Sequence, residues 1–202
     1  MNKETDKLDN IFSSPIWISQ ISNHKNLNSK MHKFIKDMQK ADPAGLTKSN
    51  LKGWHSNDFD LDAEEPRLFV NSISSSLNQV FIDMGWDTEN QEVKITSMWS
   101  IINKKNSTNA RHIHSNNYIS AAYYVKAPDK CGDIVFHDPR SAAVFRHPKI
   151  STPNKLNSNV FTIEPKDGCL VLFPSYLHHS VDSNRSDDER IVISFNIDLR
   201  IK

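Results

Sequence analysis

The sequence predicts a mainly β fold, a barrel or sandwich of short strands, preceded by helices. Two observations predict it. Apolar residues recur at helical spacing in the first part of the chain, and from Val93 onward they fall in short runs separated by Pro, Gly, Asn and Asp. Size agrees: 202 residues can bury a real core without a disulfide or zinc staple, and they are few for two full domains. One domain over 1–202 is expected, with 1–92 as helical support and 93–202 as the β core.

The elements follow in order. Residues 11–21 read as a short extended segment. From Asn26 to about Lys40, Met31, Phe34, Ile35 and Met38 stand at i, i+3, i+4 and i+7, one apolar helical stripe. Asp42-Pro43 and Gly45 end it. Residues 46–64 are polar, contain Gly53-Trp54-His55-Ser56, and read as an ordered loop. A second helix starts near Pro66, a residue favoured in the first turn. Val70, Ile73, Leu77, Val80, Phe81 and Met84 form its stripe, and Gly85 is placed to cap it. Eight strands are expected, at 93–102, 110–114, 118–126, 133–138, 160–164, 168–173, 179–182 and 190–199. Segment 139–159 is long for a barrel loop, and such loops often contact substrate.

Composition narrows the function. Lys and Arg number 25 and Asp and Glu 24, a net charge of +1. That balance argues against non-specific binding to nucleic acid or anionic membranes. Met1 to Asn10 contains no apolar signal core, and no run approaches the roughly 18 apolar residues of a membrane span. A cytoplasmic protein with reduced thiols is expected. Cys131 and Cys169 are too few and too far apart for a thiolate zinc site or a disulfide framework. With 9 His against 2 Cys, any transition-metal site must be built from His and carboxylates.

His112 and His114 stand two apart in a predicted strand, so both side chains face one side. A second strand ends at Pro174, turns, and delivers His178-His179. These two point to opposite sides if extended, so only one can join the pair. Three protein ligands leave positions on an octahedral metal open for O₂. His24, His32, His55 and His147 lack a partner at ligand spacing, and surface or loop roles are expected for them.

Strand 190–199 alternates. Ile191, Ile193, Phe195, Ile197 and Leu199 share one face, which should pack beneath the helices. Arg190, Val192, Ser194, Asn196 and Asp198 share the other. Arg190 then enters the barrel mouth, where a guanidinium can hold a carboxylate bidentately. In strand 118–126, Ser120, Ala122 and Tyr124 share a small, polar face that leaves room for a ligand. Tyr124 either donates to the carboxylate held by Arg190 or fills the barrel.

These features together resemble the 2-oxoglutarate- and Fe(II)-dependent oxygenases, and among them a small bacterial and phage group of prolyl-hydroxylase-like proteins. The resemblance rests on Ile11-Phe12-Ser13-Ser14-Pro15, Gly53-Trp54-His55-Ser56, Trp99, His112-Ile113-His114, Ser120 to Val125, Phe136-His137-Asp138-Pro139-Arg140, Gly168 to Ser175, and Glu189 to Asn196. It covers nearly the whole chain, and the combination is specific where each piece is not.

The resemblance implies a double-stranded β-helix, jelly-roll or cupin-like, with the helices on one sheet. It implies Fe(II) and 2-oxoglutarate as cofactor and cosubstrate, with succinate and CO₂ released as an unidentified small-molecule or peptide substrate is hydroxylated. His179 becomes the distal iron ligand and Arg190 the anchor of the 2-oxoglutarate tail. By similarity with prolyl hydroxylases, Tyr124 assists Arg190.

The departure is His112-Ile113-His114, where most of the superfamily has His-x-Asp or His-x-Glu. Either His112, His114 and His179 form a three-His site, the preferred reading, or Asp138 supplies a carboxylate and one of His112 and His114 supports from behind. Asp138, Arg140 and the 141–159 loop are candidates for substrate contact, although Asp138-Pro139-Arg140 also suits a turn with an internal ion pair. The competing functions are a cupin-type dioxygenase or isomerase that does not use 2-oxoglutarate, which needs no buried carboxylate anchor, and a non-enzymatic barrel module. The exposed barrel face could pair in a homodimer.

Overall fold

The structure is a computed structural model that describes residues 8–140 and 148–202. Its order is β1 (Trp17–Gln20), α1 (His24–Ala41), β2 (Asn50–Leu51), β3 (Trp54–His55), α2 (Glu64–Met84), β4 (Gln91–Asn103), β5 (Thr108–His112), β6 (Ile119–Lys126), β7 (Ile134–His137), β8 (Val160–Ile163), β9 (Cys169–Pro174), β10 (His179–Val181) and β11 (Arg190–Ile201). Both helices and all eight strands expected from Val93 onward are present, with bounds shifted by a few residues.

Helix α1 buries Leu27, Met31 and Ile35. Helix α2 begins with Glu64 and Glu65, whose charges suit the positive end of the helix dipole, and buries Pro66, Phe69, Ile73, Leu77, Val80 and Phe81. Gly85 closes α2 in the left-handed conformation at φ 63°, its N–H donating to the carbonyls of Ile82 and Phe81.

The strands form two antiparallel sheets, one ordered β1-β9-β6-β11-β4-β3 and the other β2-β5-β10-β7-β8. Period-2 alternation gives the larger sheet two unlike faces. Ile191, Ile193, Phe195 and Ile197 of β11, with Ile119, Ala121, Tyr123 and Val125 of β6, join the core beneath the helices. Ala122, Tyr124, Val171, Phe173 and Val192 turn the other way and pack with Ile134, Phe136 and Ile163 of the smaller sheet. Two facing antiparallel sheets with helices on the back of one are the double-stranded β-helix implied above. Tyr123 also ties helix to sheet by donating its hydroxyl to Asn28 Oδ1 at 2.5 Å. Among the described residues no helix is long and apolar enough to cross a membrane.

Three expectations change. The front of the chain is not purely helical, because β1 joins one edge of the larger sheet beside β9 and β3 joins the other beside β4. The 46–64 segment holds β2 and β3, strands of two residues each, too short to carry an alternation signal. The strand predicted over 110–114 ends at His112, so His114 stands just past it.

The seal between helix and sheet is testable at Phe69, which is fully buried and meets Tyr123 and Phe195 edge-on at centroid distances of 5.0 and 5.9 Å. Phe69→Ala should lower unfolding free energy by about 3–5 kcal/mol in urea denaturation. A loss below about 1 kcal/mol would show that the helices do not seal the sheet.

Candidate metal centre and cosubstrate pocket

His112 ends β5 and His179 opens β10, and the two are direct partners in the antiparallel register. Cross-strand partners present their side chains to the same face, so the pairing itself brings these imidazoles together. His114 follows two residues later, held by its backbone N–H donating to the Ser175 carbonyl at 3.0 Å, in the turn that leaves β9. Ring centroids lie 4.3 Å apart for His112 and His179, 5.1 Å for His112 and His114, and 5.1 Å for His114 and His179. One nitrogen from each lies within 4.8 Å of the other two.

Two of the rings are oriented from behind. His112 Nδ1 lies 2.7 Å from the Ala110 carbonyl, and His179 Nδ1 lies 3.0 Å from the Leu177 carbonyl. A carbonyl only accepts, so each Nδ1 carries the proton and each Nε2 keeps its lone pair. Burial, with the nearby His112 charge, lowers His179 to about 3 and His114 to about 4, and burial lowers His112 as well. Three neutral imidazoles aimed at one point are a donor set that fits a divalent transition metal.

The triad lines a cavity of about 740 Å³ that Arg190 and Tyr124 also line. Arg190 is 1% exposed, among the largest fully buried side chains. Its Nη1 donates to the carbonyls of Cys131 at 2.5 Å, Gly132 at 3.1 Å and Asp182 at 3.4 Å. Gly132 makes this close packing feasible, because it sits at φ +90° and an added Cβ would lie 2.3 Å from the Asp182 carbonyl oxygen. Among the described residues no carboxylate lies within ion-pair distance of the guanidinium, so its hydrogen bonds go to carbonyl dipoles while the Asp182 charge acts from farther off. A buried cation in that state favours an anionic ligand. Tyr124 pairs with Val192 across β6 and β11, and its phenol feels the Arg190 charge.

Residues 97–196 match a family model described as "Putative 2OG-Fe(II) oxygenase". This strand core carries that family's pattern. Among solved structures, the oxygenase chain resembles a prolyl-4-hydroxylase from Pseudomonas putida, with 12% identity and a TM-score of 0.64, covering 94% of each chain. It also resembles a Trichoplax adhaerens prolyl hydroxylase solved with a hypoxia inducible factor peptide fragment, at 12% identity and TM-score 0.61, over 90% of this chain and 82% of that one. A third match is HygX from Streptomyces hygroscopicus with nickel, 2-oxoglutarate and hygromycin B bound, at 9% identity and TM-score 0.61, over 92% of this chain and 83% of that one. Comparison with curated proteins gives no match. At these identities the solved structures speak for the fold, and the family match speaks for an enzyme using Fe(II) and 2-oxoglutarate.

The alternative ligand Asp138 does not join the triad. Its carboxylate accepts from Arg140 Nε at 3.0 Å, Arg140 Nη2 at 2.8 Å and the Arg140 backbone N–H at 2.9 Å. The pair forms a turn with an internal ion bridge, and neither residue lines the cavity. Of the 141–159 loop, residues 141–147, with His147, lie outside the described residues. His24 and His32 are half-buried on α1 and do not line the cavity. His55 is the correction. It is 7% exposed, lines the oxygenase cavity and stacks on Trp99 at 10° and 5.6 Å. Ligand spacing could not find it, because its neighbours come from β4, far along the chain. The available signal was its place in Gly53-Trp54-His55-Ser56.

The depressed histidines make the metal-free protein acid-sensitive. In the unfolded chain they titrate near 6.5, so as pH falls the unfolded state takes up protons first. Stability is fully present above about 6.5 and is lost as pH falls through about 4 and then about 3. Urea melts near neutral pH and at about pH 5 should show that decline, and His114→Asn should flatten it. An unchanged pH dependence in the variant would contradict the assignment.

Proposed function

We propose that the protein hydroxylates a small molecule or peptide group, with His112, His114 and His179 holding Fe(II) and Arg190, assisted by Tyr124, holding the far carboxylate of 2-oxoglutarate. One observation carries the reading: three neutral, converging imidazoles and a buried, carboxylate-free guanidinium line the same cavity. A cupin-type metalloenzyme without 2-oxoglutarate would leave that guanidinium without a purpose.

When bound, the iron and its cosubstrate supply the oxidative chemistry, with succinate and CO₂ as coproducts. The protein's part is binding, orientation and shielding. The Ala110 and Leu177 carbonyls hold two imidazoles in one tautomer, so their lone pairs are presented without a search through rotamers. Arg190 stays charged because three carbonyls stabilise it, and its remaining N–H groups suit a carboxylate in bidentate contact. The Tyr124 phenol stays protonated, since burial raises it well above its ordinary value, and is a donor to the same carboxylate. Phe173, with its ring 4.7 Å from His179, and Phe136 form a dry wall behind the metal position. The Asp138–Arg140 pair is assigned to the turn after β7.

The two buried thiols, Cys131 and Cys169, are free, which suits a reducing cytoplasmic setting. The near-neutral charge supports a small-molecule or peptide substrate over nucleic acid.

Metal-free protein mixed without oxygen with Fe(II) and 2-oxoglutarate should develop the weak visible charge-transfer band of the chelated cosubstrate. Arg190→Ala should weaken 2-oxoglutarate binding by on the order of 100-fold in titrations of that band. No band in the wild type, or an unchanged titration in the variant, would overturn the proposal. His179→Ala should abolish stoichiometric metal uptake in calorimetric titration, and full uptake would remove it from the ligand set.

A further inference from the structure

The cavity lined by the histidine triad and Arg190 is also walled by the 46–58 segment, which precedes the residues matched to the oxygenase family and contributes Lys48, Ser49, His55, Asn57 and Asp58. His55 is the buried member of this group, and the structure fixes its position on every side.

The segment is clamped to β4. Ser56 N–H donates to the Ser100 carbonyl at 2.9 Å, Ser100 N–H donates to Ser56 Oγ at 2.9 Å, and Ser56 Oγ donates to the Asn57 carbonyl at 2.6 Å. Gly53 lies so close to the sheet that an added Cβ would sit 2.0 Å from Asn103 Oδ1. Alternation in β3 sends Trp54 into the helix-side core and His55 into the cavity. The His55 ring stacks on Trp99, which in turn meets His114 at a centroid distance of 5.6 Å. His55 is therefore one aromatic ring removed from the metal cluster.

The chemistry of the ring is equally determined. His55 Nδ1 lies 2.6 Å from the Ser56 carbonyl, so Nδ1 carries the proton and Nε2 holds a lone pair. Burial lowers its pKa, which keeps it neutral. No described residue pairs with Nε2, and it is not among the side-chain atoms shut off from solvent without a partner. Those atoms are Trp99 Nε1 and Asn103 Oδ1, and both belong to residues lining the same cavity. Both are closed to solvent, Asn103 Oδ1 against Gly53, so they lie behind the cavity wall, and His55 Nε2, unpartnered and not among them, is the acceptor that the wall leaves available.

We propose that His55 positions the substrate, its Nε2 accepting a hydrogen bond from an uncharged N–H, as an amide carries, within the cavity it shares with the triad. A neutral imidazole is an acceptor there and offers no charge to pair with a carboxylate. The flat His55–Trp99 stack offers a planar amide a matching surface.

This assignment rests on the oxygenase reading, and the test separates the two. Protein with ¹⁵N-labelled histidine and tryptophan, loaded with diamagnetic Zn(II) and 2-oxoglutarate, is titrated with N-methylacetamide and separately with N,N-dimethylacetamide. The two probes accept alike, but only the first donates. N-methylacetamide should shift the His55 Nε2 resonance saturably, and the dimethyl probe should not. His55→Phe retains the stack and removes the acceptor, so the saturable response at the Trp99 indole N–H should disappear in a variant that still melts cooperatively. His55→Gln, with an acceptor near the Nε2 position, should restore it. Equal response to both probes, no response, or an undiminished Trp99 response in His55→Phe would overturn the proposal. Failure of the sample to take up metal and 2-oxoglutarate would instead count against the oxygenase reading.

Discussion

The site depends on β11 being sealed on one face and open on the other. Its odd-numbered side chains from Ile191 to Ile197 are buried beneath the helices, and this fixes the register in which Arg190, Val192 and Ser194 face the cavity. A slip by one residue would reverse every side chain, placing a guanidinium under the helices and isoleucines in the cavity wall. The pairing of twelve β11 residues with β4, and of seven with β6, makes such a slip prohibitive. Hydrophobic burial on the back of the sheet thereby controls polar chemistry on its front.

The front of the sheet carries groups that hydrophobic burial alone would reject. Arg190 and His179 are almost wholly enclosed, and each is tolerated because backbone carbonyls face it. Carbonyls satisfy donors without neutralising them. A guanidinium bonded only to dipoles remains a cation with binding capacity to spare, and an imidazole bonded at Nδ1 remains a ligand at Nε2. Had Asp182 offered its carboxylate to Arg190 in place of its carbonyl, the cation would have been spent on the protein itself. The site is polar, yet nearly unpaired within the chain, which is the condition for binding an ion and a dicarboxylate.

Much of this arrangement is readable from residue patterns. The alternation of 190–199 places Arg190, and the His-x-His spacing brings His112 and His114 to one side. The turn after Pro174 leads to His179, but only the register of β5 with β10 makes it the partner of His112. The 46–58 wall escaped notice for a related reason. Its strands are two residues long, and their positions come from bonds to β4 and β5 rather than from any local pattern. His55 has no metal-ligand spacing because its role is defined by Trp99, a neighbour in space. Asp138 illustrates the converse: a carboxylate in a suggestive motif is taken by the arginine two residues away.

The attachment of the outer wall to the outermost position of the larger sheet has an evolutionary consequence. β3 lies at the sheet edge, pairing with β4 alone, and the segment around it enters the chain well before the strands that carry the imidazole triad. Mutations accumulating there can remodel what the cavity accepts while the imidazoles and the guanidinium stay where β5, β10 and β11 put them. Selectivity and reactivity are inherited on separate stretches of the chain. A lineage built this way can explore new substrates by small steps without passing through forms that have lost their iron chemistry.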